Sequence, residues 1–244
     1  MALKIKNEKI IGTIDNLEDK LNGKLPVDRL ELFYLINSYP RINNFTFTYN
    51  NESSDVLISN PRKNYNLSKL DTSQITDMSC LFKYSTFNGN ISKWDVSNVT
   101  NMKDMFAYAI KFNKDISNWN TSNVTNMSCM FFDTKEFNQD ISNWNISNVI
   151  NIEGMLCYAI KFAQNIGKWD LSNIKEAIFM LDNTEAFENK YNEGNTLPSY
   201  INDIKEWFNN NRDKMREIEI KEKYSNEIEN FFLQINTNNK NREL

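Results

Sequence analysis

The sequence predicts an α/β fold: a right-handed solenoid of 25-residue repeats with one short parallel strand per repeat, closed by helical N- and C-terminal caps. Three observations point there. Trp94, Trp119, Trp144 and Trp169 stand 25 residues apart. Around each runs an Ile-x-x-Trp-x-(Val/Thr) pattern, as in Ile116, Trp119 and Thr121, with the alternation of a half-buried strand. Further along, apolar residues at +8, +11 and +12 from each Trp have the i, i+3, i+4 spacing of one or two helical turns.

The repeat is long and well kept. Counting from each Trp, Ser stands at +3, Asn at +4, Val or Ile at +5, Met at +11 and Phe at +18. Ile116, Ile141 and Ile166 hold +22, and Tyr191 replaces them in the fourth unit. The frame extends backwards through Leu70, Ile75, Met78 and Phe82, and more faintly through Phe45, Phe47, Val56 and Leu57. About six units therefore lie between Ile42 and Asn192, the first two degenerate. Positions 0, +2, +5, +8, +11, +12, +18 and +22 are the expected core. One unit alone buries too little to offset the ordering of its own backbone, so units must stack and share their faces. The apolar pattern matches the L-x-x-L-x-L core of a leucine-rich repeat, whose periods of 20–29 residues bracket this one.

Three regions follow: residues 1–41 as an N-terminal helical cap, 42–193 as the repeat array, and 194–244 as a C-terminal helical cap and tail. In the first, Leu30, Phe33, Tyr34 and Ile36 have near-helical spacing after Pro26-Val27-Asp28. In the last, Pro198-Ser199 opens an amphipathic helix through Ile201, Ile204, Trp207 and Phe208. Asn209-Asn210-Asn211 is expected to break it before a second helix over 213–235, with Ile228, Phe231, Phe232 and Ile235 on one face. Those C-terminal helices are either a cap or an element that meets a partner.

Composition narrows the chemistry. The 244 residues contain no histidine, which removes Ser-His and Cys-His nucleophile systems and every histidine-ligated metal site. A net charge of -4 argues against a nucleic-acid partner held by phosphate contacts. Three cysteines make no disulfide framework in so long a chain. The Trp and Met columns read as core rather than as stacking platforms or thioether ligands, and the repeated aspartates lack the spacing of a calcium loop. No enzyme, metal or cofactor is expected. The chain opens with no apolar signal run, and no stretch approaches the roughly 20 apolar residues of a membrane span.

The segments WDVSNVTNMKDMF, WNTSNVTNMSCMF and FNQDISNWN resemble the 25-residue repeat of the BspA-like bacterial surface-protein family. The resemblance covers about residues 66–192. It implies a leucine-rich-repeat-like fold and cell-surface attachment or host contact, at the cell surface or secreted; the missing signal run makes a cytoplasmic location the alternative.

On that fold the strand positions −1, +1 and +3 point outward and form polar columns: Lys93, Asn118, Asn143 and Lys168; Asp95, Asn120, Asn145 and Asp170; Ser97, Ser122, Ser147 and Ser172. Exposed sheet faces are the usual recognition surfaces of repeat folds. The expected activity is non-enzymatic binding or adhesion to a protein or glycan. In the alternative reading, the Asn and Ser ladders serve only the backbone at turns. A rival function is that of an intracellular inhibitor or effector that uses the C-terminal helices. The oligomeric state is open.

Overall fold

The computed structural model describes residues 4–6, 9–11, 15–36, 46–49, 52–55 and 66–240. Its elements are strands β1 (Lys4–Lys6) and β2 (Lys9–Ile11), helices α1 (Leu17–Leu21) and α2 (Arg29–Ile36), strands β3 (Thr46–Tyr49) and β4 (Glu52–Asp55), and helices α3 (Glu185–Tyr191) and α4 (Ile201–Lys240). The strands form two antiparallel hairpins, β1 with β2 and β3 with β4. From residue 66 to 193 the array contains no strand, only isolated parallel bridges: Asp71 with Pro26, and then Asp77, Asn101, Asn126, Asn151 and Glu176 in series. The expected leucine-rich-repeat-like solenoid with a strand at each Trp is therefore overturned.

The reason lies in the polar residues flanking each Trp. The Asp115 carboxylate accepts the Ser117 N–H at 2.9 Å, and the Asn120 side chain accepts the Ser122 N–H at 3.2 Å. These local bonds curl the backbone into turns closed by Trp119 N–H on the Ile116 carbonyl (3.2 Å) and Val124 N–H on the Thr121 carbonyl (3.0 Å). Asp, Asn and Ser compete in this way with ladder pairing. What read as outward strand positions are turn positions.

The expected helical turns are absent too. Asp104 and Tyr108, at +10 and +14, have φ of 56° and 59°, and their counterparts Cys129, Asp133 and Tyr158 are also left-handed. Residues there alternate their bonding. Met105, Ala107 and Ala109 donate three residues back, while Met102, Asp104, Phe106 and Tyr108 donate to Asn126, Ser128, Met130 and Phe132 of the next repeat. A left-handed residue every few positions keeps the segment flat and prevents a helix from continuing.

The inward positions nonetheless hold in the four full repeats. The residues at 0, +2, +5, +8, +11, +12, +18 and +22 are all buried, from Trp94 to Tyr191. Corresponding rings stack across neighbouring repeats: Phe106 on Phe131 at 5.6 Å, Phe112 on Phe137 at 6.3 Å and Trp119 on Trp144 at 6.3 Å. Each indole N–H reaches a carbonyl of the preceding repeat, as Trp144 does to Ile116 at 3.0 Å, so the Trp column is core with its polar atom satisfied.

At the N-terminal end, α2 covers the exposed face of the first described repeat. Asp28 and Glu31 cap the helix reciprocally, the Asp28 carboxylate accepting the Glu31 N–H (2.8 Å) and the Glu31 carboxylate the Asp28 N–H (3.0 Å). Leu30, Leu32, Phe33, Leu35 and Ile36 join the common core. Val27 N–H bonds the Asp71 carbonyl, and the Arg29 guanidinium bonds the carbonyls of Asp77 and Ser79. Of the faintest predicted repeat, Phe47 lies in β3, while Phe45, Val56 and Leu57 fall outside the described residues.

At the other end, α3 fills the last +18 and +22 places with Phe187 and Tyr191. The Ser199 carbonyl accepts the Phe179 N–H, standing in for a further repeat. The expected break at Asn209–Asn211 does not occur: α4 runs unbroken for 40 residues. Asn211 turns its side chain onto the Trp207 carbonyl at 2.9 Å and stays helical. Ile204, Phe208 and Met215 are buried against the stack, whereas Tyr224, Ile228, Phe231 and Leu233 are exposed.

Candidate functional site

The three predicted columns occupy the turn face of the stack, and the columns do different jobs. At +1, Asp95, Asn120, Asn145 and Asp170 each accept the N–H of the residue two ahead, Ser97, Ser122, Ser147 and Ser172. Hydrogen bonds from Ser97 and Ser172 hold the Asp95 and Asp170 carboxyls below their ordinary range. At +3, the carbonyls of Ser97, Ser122 and Ser147 accept the side-chain amides of Asn123, Asn148 and Asn173 in the following repeat, each at 2.7 Å. At −1, Lys93, Asn118, Asn143 and Lys168 are exposed and make no hydrogen bond or ion pair among the described residues.

Helix α4 crosses this face over the last repeats. Met215 is fully buried there because Gly167 leaves room: a Cβ on that glycine would lie 3.3 Å from the Met215 sulfur. The preceding repeats carry Ser92, Ser117 and Ser142 at the same place. The crossing is fastened by Lys205 on the Ile174 carbonyl (2.8 Å), by Tyr191 hydroxyl on the Glu219 carboxylate, and by Lys190 on Glu219 (3.0 Å) and Glu222 (2.8 Å).

Between helix and turns lies an open cleft of about 590 Å³. Asn143 and Lys168 form part of one wall, and Arg212, Asp213, Arg216 and Glu219 of the helix form the other. A smaller cleft of about 150 Å³ continues it past Asp170 and Ser172, with Lys205 opposite. The structure thus gathers Asn143, Lys168, Asp170 and Ser172 beside α4. It leaves Lys93, Asp95, Ser97, Asn118, Asn120, Ser122, Asn145 and Ser147 outside the residues lining the two clefts.

Sequence reasoning missed Arg212 and Arg216, because nothing in the helix pattern says where the helix lies. The one legible trace is the change from Ser to Gly at position 167, where the repeat gives up a side chain to an approaching element. The cysteines take no part. Cys80 and Cys129 are half-buried and Cys157 is buried, all free, and burial pushes the Cys80 thiol up to about 11 and that of Cys157 to about 12. They stay protonated and inert at neutral pH. No helix among the described residues is long and apolar enough to cross a membrane.

Comparison with curated proteins gave no match, and comparison with solved structures gave none. Comparison with family models matched residues 51–162 and 124–222 to a single family. The two matches overlap within the repeats and together run from 51 to 222, most of the chain, and take in the first part of the helix that covers the turn face. This chain belongs to the family described as Mycoplasma protein of unknown function, DUF285.

Proposed function

We propose that the chain is a non-enzymatic binding protein that recognises a polar protein or glycan partner through its turn face. The observation that carries this reading is the −1 column. The +1 and +3 positions are occupied with holding turns and joining repeats, but Lys93, Asn118, Asn143 and Lys168 stand exposed, one per repeat, without a structural duty. A regular row of unspent polar groups on a rigid stack is what an extended polar partner requires. The resemblance to bacterial surface repeats supports a surface-associated setting, and protease treatment of intact cells tests it by removing the protein from outside.

The test of the face is Asn118→Trp with Asn143→Trp, screened for capture from extracts of candidate host cells. Both side chains are exposed and make no hydrogen bond among the described residues, so thermal stability is expected to hold while capture is lost. Unchanged capture overturns the reading. A second reading, an intracellular inhibitor or effector, is favoured by one observation: beyond about residue 220, α4 exposes Tyr224, Ile228 and Phe231. If capture follows Tyr224→Ser, Ile228→Ser and Phe231→Ser instead, the partner docks on the helix.

A further inference from the structure

We propose that the cleft between α4 and the turn face takes a small sugar bearing a carboxylate, of the hexuronate kind. The inference rests on the turn face being a binding surface, since Asn143 and Lys168 belong to both. Its argument is the balance of committed and uncommitted charge. Glu219 is engaged by Lys190 and the Tyr191 hydroxyl, and one Asp140 oxygen accepts the Ser142 N–H at 2.9 Å. Arg216 and Lys168 have no carboxylate partner among the described residues, and Arg212 reaches only the Trp169 carbonyl, at 3.4 Å. Of the carboxylates lining the cleft, Asp213 alone makes no hydrogen bond or ion pair among the described residues. With Glu219 offset by Lys190, the cleft lining sets three cations, Lys168, Arg212 and Arg216, against two carboxylates, Asp140 and Asp213, a local surplus of one positive charge in a chain of net charge -4.

Such a surplus is matched by an anionic group, and a guanidinium fork suits a carboxylate in particular. The remaining walls choose the rest of the ligand. Asn143, Ser142, Asn165 and Asp213 offer amide, hydroxyl and carboxylate groups that pair with hydroxyls, while Ile220 is the one large apolar side chain. A cleft of about 590 Å³ is the size of a small-molecule site rather than of a peptide groove with side-chain pockets. In the bound state the Arg216 guanidinium and Lys168 ammonium donate to the carboxylate, and Asn143 and Asp213 bond the ring hydroxyls.

The experiment titrates the full chain with D-glucuronate, followed by saturation-transfer NMR, beside D-glucose and pentaglutamate. Glucuronate is expected to bind and glucose not, with the signal weakened by salt. Arg216→Gln is expected to lower affinity by about tenfold or more, with Arg216→Lys intermediate, as for loss of a charge-assisted pair. The melting temperature of both variants is expected to stay at the parent value, because Arg216 makes no hydrogen bond or ion pair among the described residues. Equal signals for glucuronate and glucose, full binding by Arg216→Gln, or binding of pentaglutamate in place of glucuronate each overturns the proposal. The broader reading fails separately: Asn118→Trp alone lies outside the cleft, and its effect on partner capture does not depend on this ligand.

Discussion

Asp95 and Asn120 occupy the same place in successive repeats and do the same thing, presenting an oxygen to the N–H two residues ahead. Only one of them titrates. The carboxyls of Asp95, Asp115 and Asp170 are held low, so their contribution is present above the unfolded value near 4 and is lost as pH falls through the lower folded value. Asp95→Asn with Asp170→Asn keeps both caps, and the loss of melting temperature between pH 5 and pH 2.5 is expected to shrink. Glu188 has the opposite sign. Burial raises its carboxyl, and its Oε1 has no hydrogen-bond partner among the described residues. It favours folding below the usual glutamate value and opposes it as pH rises past the raised one. Glu188→Gln is therefore expected to raise the melting temperature at pH 7 and leave it nearly unchanged at pH 4. Within the core, Trp144→Phe orphans the Ile116 carbonyl and leaves a void, and a loss of about 2–3 kcal/mol is expected in urea unfolding.

Helix α4 is two elements in one rod. Up to Met215 its buried side chains tie it to the stack, whereas Tyr224, Ile228, Phe231 and Leu233 further along are exposed. Amide hydrogen exchange is expected to show the contrast, with slow exchange over 204–215 and fast exchange over 224–235, because local opening follows the density of buried contacts. This element also shows what the sequence made legible. Its amphipathic start at Ile201 and Ile204 was readable, as was the inward file of Trp, Met and Phe, because burial follows the 25-residue period whatever the backbone does between. The strand at each Trp was not. Alternation at Trp119 and Thr121 looks the same in a strand and in a pair of turns, and the deciding bonds come from Asp115 and Asn120 to backbone N–H groups. The cleft was readable only in halves. Lys168 and Asn143 belong to the repeat and stood out, whereas Arg212 and Arg216 acquire meaning only once Met215 is seated at Gly167.

The whole molecule is a stack whose ends are closed by unlike pieces, α2 at one side and α3 with α4 at the other. The N-terminal closure depends on a close approach. Gly23 has φ of 71°, and a Cβ there would run into the Lys69 carbonyl. Gly23→Ala is expected to cost about 1–3 kcal/mol, and limited proteolysis is expected to cut first between residues 66 and 90, where the released cap bares the core. Arg29→Ala removes the bonds to Asp77 and Ser79 and is expected to give the same cleavage pattern more mildly. The junctions between the ends have a different property. Thr125 N–H meets the Thr100 carbonyl as Ile150 N–H meets that of Thr125, and Asn123 meets Ser97 as Asn148 meets Ser122. These main-chain and Asn-amide bonds recur from seam to seam, while side-chain bonds such as that of Thr121 to the Asn145 carbonyl are replaced by apolar packing where the unit has Val96 or Ile146. A gene that gains or loses one 25-residue module is therefore expected to encode a longer or shorter protein that keeps the recurring seam bonds and both lids. Copy number can drift while the fold stays whole, and the reach of the exposed row is set by the number of copies.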